Sequence, residues 1–262
     1  MNQSTEPYEN FCKWSTEKPL AEKGFIVAAD TTQEWLLPWW WENYTKYNDL
    51  PVAFVDLGLS KEMKNWCKER GRYIHLFVPD AFLLEKASFP KEHIDHWETL
   101  HGKKFWESRN AWFKKPLACL QSPFEKNVWM DLDCEVKGYL GDIFSVPLPS
   151  YSVAAAKEHL PNKDPSINSG VILFQKNTPL IETWAEESLK NNSLYFGDQD
   201  SLYALILKNH PPMADLPLTY NWSRLNQNNE DALVVHWHGN TGKMVISHQI
   251  QKMMMQKEGL LS

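Results

Sequence analysis

Apolar residues along the chain gather into short runs separated by amphipathic stretches, and their order predicts alternating strands and helices. Gly24-Phe-Ile-Val-Ala-Ala-Asp30 is a buried-strand run that ends in the polar turn Asp30-Thr31-Thr32. Gln33 to Tyr47 is helical, with Pro38 near the first turn, where a missing amide is tolerated. Pro51-Val-Ala-Phe-Val-Asp56 is a second apolar strand. Ser60 to Arg70 is a helix with Ser60 as N-cap and Gly71 as its stop, and Tyr73 to Phe77 is a third strand. This βαβαβ alternation predicts an α/β fold whose mostly parallel sheet is covered by helices on both faces.

Residues 79–108 show no clear period. Asn110 to Gln121 reads as a helix kinked or divided by Pro116. The strand Asn127 to Met130 runs directly into Asp131-Leu132-Asp133. Tyr151 to Ala156 and Gly170 to Phe174 are further strands, and Pro179 to Lys190 and Asp198 to Lys208 are helices. Leu233 to Trp237 is a late strand, and the tail around Met253-Met254-Met255 is a short terminal helix. Neither an internal repeat nor a low-complexity linker interrupts the pattern, so the expectation is a polar arm over 1–23 and one domain over 24–262.

Composition narrows the function classes. The 262 residues carry 33 Asp+Glu against 27 Lys+Arg, a net charge of −6, which argues against a nucleic-acid partner that needs a basic face. Apolar residues at 43% and charged residues at 23% are globular values, not those of a disordered chain. No apolar run approaches the roughly 18 residues of a membrane span, and the start, MNQSTEPYENFCKW, has no signal-peptide pattern. Cys12, Cys67, Cys119 and Cys134 form no CxxC pair and read as reduced thiols. The expected location is the cytoplasm, free or peripheral at a membrane. Tryptophan is the outlier, with 13 residues. Trp39-Trp40-Trp41 are consecutive on a helix and must face different sides. Trp97, Trp106 and Trp112 flank the aperiodic region, either as core anchors or as a platform for a sugar acceptor. His93, His96 and His101 read as ordinary histidines, not a metal site.

Candidate chemistry begins at Asp131 and Asp133. Two carboxylates two residues apart on an extended segment point to the same side. They repel unless a cation lies between them, and Mg²⁺ or Mn²⁺ commonly takes one or two carboxylates with phosphates completing its shell. The plain alternative is a solvated turn. Asn168-Ser169-Gly170 is a polar turn before a strand, with Gly170 permitting close backbone approach to a ligand. Asp198 and Gln199 open a helix, where Asp198 also suits an N-cap. His236 ends a strand and suits a third metal ligand; His238 competes for that place. Gly239 to Lys243 has the glycines and lysine of a phosphate-holding loop.

Taken together, VAADTT, RNAWFKKPLACLQSPF, VWMDLDCEV, INSGVILF, GDQDSLYALI and HWHGNTGK, in that order over residues 24–245, resemble the GT-A glycosyltransferases, most closely the family 8-like group. The resemblance implies a metal-dependent transferase moving a sugar from a UDP-sugar donor to an unassigned saccharide, lipid or protein acceptor, with retention. It implies that Asp131 contacts ribose and metal, that Asp133 and His236 are metal ligands for Mn²⁺ or Mg²⁺, and that Lys243 binds the diphosphate. Ala28, Ala29, Asp30 and Thr31 would line base and ribose, and Arg109 would reach the sugar nucleotide. Asn168, Ser169 and Gly170 would surround the donor sugar, with Asp198 and Gln199 as the catalytic pair and Gln199 supporting a front-side route. Tyr220-Asn221-Trp222 resembles a sugar-pocket segment. The family ends its last motif H-x-x-G-x-x-K-P-W; here Lys243 comes one residue late and Met244-Val245 replaces Pro-Trp. A nucleotidyltransferase, or a sugar-nucleotide-binding protein without turnover, are the alternatives.

Overall fold

The structure is a computed structural model that describes residues 10–79, 82–158 and 166–257. Strand β1 (Ala21–Ala29) is followed by α1 (Leu36–Thr45), β2 (Val52–Asp56), α2 (Lys61–Lys68) and β3 (Arg72–His75). Helices α3 (Lys91–His101), α4 (Trp106–Phe113) and α5 (Lys115–Leu120) lead to β4 (Phe124–Met130) and β5 (Cys134–Val136). Then come β6 (Val153–Glu158), β7 (Ser166–Gln175), α6 (Pro179–Lys190), α7 (Asp198–Asn209), β8 (Met213–Asp215), β9 (Trp222–Ser223), β10 (Val234–His236) and α8 (Gly239–Lys257).

The seven-stranded sheet has the order β3-β2-β1-β4-β7-β6-β8. Its pairs are parallel from β3 to β4 and between β6 and β8, whereas β7 is antiparallel to both β4 and β6. One strand is therefore reversed in an otherwise parallel sheet. Period-2 alternation sends side chains to two cores. Phe25, Val27, Phe54, Val128 and Met130 pack under α1, α2 and α8 with Leu37, Trp40, Cys67 and Ile246. Ile26, Ala53, Val55 and Trp129 pack under α5, α6 and α7 with Leu117, Trp184 and Leu202. Each large apolar side chain so buried contributes roughly 1.5–3 kcal/mol. A second, three-stranded sheet in the order β5-β10-β9 sits at the end of β4.

Several boundaries move. β1 begins at Ala21, and Cys12 and Trp14 ahead of it are buried in the core, so the polar arm is shorter than 1–23; residues 1–9 lie outside the described residues. Ser60 caps α2 as expected, accepting from the Met63 amide at 3.3 Å. The aperiodic stretch contains α3, and the helix over Asn110–Gln121 is two helices, with Pro116 in the first turn of α5. Asn168-Ser169-Gly170 lies inside β7, not before it. The terminal helix starts at Gly239, so HGNTGK opens a helix and is not a free loop. No described helix is long and apolar enough to cross a membrane.

The chain runs outward from β1 through β2 to β3, then returns to place β4 on the other side of β1. Ligands in open α/β sheets bind beyond the carboxyl ends of strands at such a switch. Asp30 follows β1 there, and Asp131 follows β4.

Candidate active site

The acidic tip of β4 is clamped from two sides. The Asp131 amide donates to the Gly170 carbonyl of β7 at 2.8 Å, and the Trp237 amide donates to the Asp133 carbonyl at 2.9 Å. Trp129 Nε1 donates to Asp131 Oδ1 at 2.7 Å. The Lys115 ammonium, buried at the start of α5, lies 3.0 Å from Asp131 Oδ1 and 2.8 Å from Asp198 Oδ2. It also donates to Ser169 Oγ at 3.2 Å. Burial opposes its charge, but the two carboxylates win and hold its pKa above the usual value. Burial and the neighbouring Asp133 push the Asp131 carboxyl up.

His236, on β10, turns its ring into this tip. Nε2 is 3.3 Å from Asp133 Oδ1 and 3.9 Å from Asp131 Oδ2. Nδ1 is 3.1 Å from Asn168 Oδ1 and 3.1 Å from Asn221 Oδ1. The orientation of Asn168 is fixed, because its Oδ1 accepts from the Gly170 amide at 2.8 Å and from Asn221 Nδ2 at 2.9 Å. Nδ1 of His236 is then a donor, so the protonated ring gives its Nε2–H to Asp133, and loss of that proton would leave the Nε2 lone pair facing the carboxylates. That is how an imidazole is set as a metal ligand. Burial works against charge on Asp133, yet the imidazole beside it holds the carboxyl well below the usual range. Asp133 in turn raises His236 against the opposing effect of burial. His238 is occupied elsewhere: its Nε2 is 2.7 Å from Ser223 Oγ, and burial with the His236 charge lowers its pKa to about 4. Of the two histidines, His236 is the one that faces the acidic pair.

Gly170 serves this arrangement through what it lacks. A Cβ there would overlap Cε1 and Nδ1 of His236 and the Asn168 amide oxygen. The close approach that glycine permits is that of the imidazole, not of a ligand's backbone contact. β7 is bulged at this point: Ala155 faces Ile172 and Ala156 faces Asn168, leaving Ser169, Gly170 and Val171 unmatched on the β6 side. Such a bulge re-aims side chains toward a site. Ser169 Oγ donates to Asp198 Oδ2 at 2.9 Å, and its amide donates to Gln199 Oε1 at 3.0 Å. Asp198 is therefore not the helix cap. Asp200 takes that duty, accepting from the Gly197 amide at 3.0 Å.

These groups border one cavity of about 790 Å³. Ala28, Ala29, Asp30 and Gln33 form one part of its wall. Asp131, Asp133, Asn168, Ser169, Asp198, Gln199, His236 and Lys243 are also on it. Trp97, Phe105, Trp112 and Phe196 form an aromatic part. Asp30 Oδ1 holds the turn below the cavity by accepting from the Thr32 and Gln33 amides at 2.9 and 3.2 Å. Three residues expected at the donor are not on the wall: Gly170 is covered by the His236 ring, and Thr31 and Arg109 lie elsewhere. Thr31 is exposed, its amide donating to the Gly58 carbonyl at 3.1 Å. Arg109 is buried behind the wall, its guanidinium donating to the carbonyls of Asn192 and Tyr195 and lying 4.5 Å from the ring centroids of Phe89 and of Phe113. The buried cation that pairs with Asp131 and Asp198 is Lys115. A lysine immediately ahead of the apolar run Pro116-Leu-Ala-Cys-Leu120 was the available signal for it. Asn221, read from the sequence as part of a sugar-pocket segment, is instead a partner of His236 Nδ1.

The tryptophans divide. Trp39 and Trp40 are core, and Trp41 is partly buried against Phe54 and Trp66. His93 packs against Trp97 and His96 lines the cavity; the His101 side chain lies outside the described residues.

No protein-family model and no curated protein sequence matches the chain. Solved structures do. A galactosyltransferase, LgtC, in complex with donor and acceptor sugar analogs superposes with a TM-score of 0.58 at 14% identity, covering 87% of this chain and 94% of that one. The apo glycosyltransferase GlyE of Streptococcus pneumoniae TIGR4 gives 0.57 at 16% identity, over 84% of this chain and 55% of that longer one. This chain has the GT-A glycosyltransferase fold. Mouse xyloside xylosyltransferase 1 shares it, with a TM-score of 0.52 at 13% identity over 83% of this chain and 97% of that one.

Proposed function

We propose that this GT-A chain is a family 8-like, metal-dependent glycosyltransferase that moves a sugar from a nucleoside diphosphate donor, UDP by resemblance, to a hydroxyl acceptor with retention. The observation that carries the reading is the meeting of Asp131, Asp133 and Nε2 of His236 in a cavity that also presents Lys243 and the Lys115-bound Asp198. The donor set fits a divalent cation: two carboxylates suit Mg²⁺ or Mn²⁺, and the imidazole favours Mn²⁺. Asp131, Asp133 and His236 would hold it, and when bound it supplies positive charge where the leaving diphosphate gains negative charge.

The chain's own residues supply the rest. Lys243 stands in the first turn of α8, where helix amides and an ammonium together favour an anion. Asp198 is engaged by Lys115 and Ser169, which weakens it as a nucleophile and fixes it as an acceptor for a donor-sugar hydroxyl. With that carboxylate committed, the front-side route needs no covalent intermediate. The C1–oxygen bond to the diphosphate breaks, the acceptor oxygen bonds C1 on the same face, and its proton passes to the departing phosphate oxygen. Gln199, fixed through Ser169, borders that face.

A thermal-shift series with UDP, GDP and ADP, each with and without Mn²⁺, tests the reading. UDP at about 100 times its Kd adds about 2.7 kcal/mol, on the order of 5–10 °C in Tm for a chain of this size. The shift should require Mn²⁺ and vanish in Asp133→Ala. No shift with any nucleoside diphosphate overturns the proposal. Release of free UDP from UDP-sugars separates a working enzyme from a binding protein.

A further inference from the structure

Neighbouring residues on an extended strand point to opposite sides. At the exit of β10 the His236 ring therefore faces the cavity, and the Trp237 ring packs at the back, against the core under α1 and α8. The Trp237 main chain is held there from both sides. Its amide donates to the Asp133 carbonyl at 2.9 Å. Behind it stands buried Gly242 of α8, where a Cβ would overlap the Trp237 carbonyl group. Helix backbone thus rests on strand backbone, at a helix position where glycine otherwise costs about 1 kcal/mol relative to alanine. A second seat lies two turns further along the same face of α8, at Gln249. Gln249 Nε2 donates to Glu135 Oε2 at 3.5 Å, and that oxygen also accepts from Trp237 Nε1 at 2.8 Å. Gln249 Oε1 accepts from Trp39 Nε1 of α1 at 3.1 Å, which fixes the orientation of the amide. Lys243, on the cavity wall, is the residue next to the first seat.

We propose that Gly242 and Glu135 are positioning residues that seat α8 against Trp237 and so set where the Lys243 ammonium stands relative to the acidic tip of β4. This role rests on the glycosyltransferase reading and adds to it the part of the chain that aims the diphosphate cation. Lys243 comes one residue later after Gly239 than the H-x-x-G-x-x-K pattern gives, and it stands in a helix, so its place follows that of the whole helix. A backbone-to-backbone contact one residue away leaves that helix no room to slide. The Glu135 bond two turns on stops it pivoting about the contact. The Trp237 that bears α8 is also bonded to Asp133 and follows His236 directly, so cation, imidazole and carboxylate are placed as one unit.

The test is calorimetric binding of UDP to the full chain with Mn²⁺ present, with the metal-free Tm as the measure of folding. Lys243→Ala should weaken UDP roughly tenfold. Gly242→Ala, which pushes α8 off Trp237, should weaken it roughly tenfold as well, and Glu135→Ala about threefold. Because both act through Lys243, adding either one to Lys243→Ala should cost less than about twofold more. Glu135→Gln keeps an acceptor oxygen for Trp237 and should bind UDP within about twofold of the unaltered chain. A residue that only stabilised the fold would lower Tm and leave UDP binding unchanged well below it, or its effect would multiply with that of Lys243→Ala. Either result overturns the proposal. Should Gly242→Ala fail to fold, Trp237→Phe, which keeps the ring and removes only the bond to Glu135, carries the same double-variant comparison. Failure of the unaltered chain to bind UDP is a separate outcome that overturns the transferase reading itself, and this role with it.

Discussion

At residue 170 a single hydrogen in place of a methyl group decides where an imidazole can stand. Gly170→Ala should drive His236 away from Asn168 and so shift its Nε2 from Asp133, since the new carbon would overlap the imidazole ring and the Asn168 oxygen. Overpacking of this kind costs about 1–3 kcal/mol. Urea unfolding should show that loss, and Mn²⁺ titrated in the presence of UDP should bind at least tenfold more weakly than to the unaltered chain. The acidic pair and His236 were legible because each ends an apolar strand, where a charged or titratable group is conspicuous. Lys115 was not legible. Its partner Asp198 comes from a different helix, and only the folded chain shows that a cation at the head of an apolar run answers two carboxylates. Arg109 carried the more obvious positive charge but faces aromatic rings.

Among the elements, the end of β2 carries the clearest pH dependence. Asp56 is fully buried. Burial opposes its charge, but the Tyr73 hydroxyl at 2.5 Å, the Leu59 and Gly58 amides at 2.6 and 2.8 Å, and Lys64 hold the carboxyl below the usual range. A carboxyl depressed on folding adds stability that is complete above its unfolded pKa of about 4 and is lost as pH falls through the lower folded value. Stability should therefore decline on acidification below about pH 4. Asp56→Asn should cost about 2 kcal/mol at pH 6 and flatten that decline, read from urea midpoints at pH 6 and pH 3. The helices most legible in the sequence are those with an apolar stripe: α6 spans the Pro179–Lys190 predicted for it. The start of β7 was hidden because Asn168 and Ser169 put polar groups into the cavity and break the apolar run. α3 was hidden because its half-buried side mixes His93 and Glu98 with Ile94 and Trp97, so the buried face is not an apolar one. The opening of α8 was read as a loop because Gly239 and Gly242 lie in its first turn.

For the molecule as a whole, the alternation of strands and helices carried the α/β architecture, whereas strand direction left no trace in hydrophobicity. The reversal of β7 came only from the pairing. Long-range packing behind the cavity likewise escaped the sequence. Arg109 ties α4 to the carbonyls of Asn192 and Tyr195, in the segment that leads to Phe196 and Asp198, while its Nε and Nη1 have no hydrogen-bond partner among the described residues. Arg109→Met should leave two carbonyls unsatisfied and lower stability by roughly 2 kcal/mol, visible as a Tm drop of several degrees. Below that lowered Tm, UDP affinity by calorimetry should stay within twofold. A guanidinium that touched the nucleotide would instead lose it.

The small sheet has a consequence for assembly. Trp237 Nε1 bonds Glu135 across 102 positions of sequence, and β10 lies against β5 over the same separation. A nascent chain that has passed the acidic tip thus has about a hundred residues still to emerge before the imidazole arrives. Until then β5 offers a bare edge beside an Asp133 whose imidazole partner has yet to arrive, so the two halves of the chain lock together only once both exist.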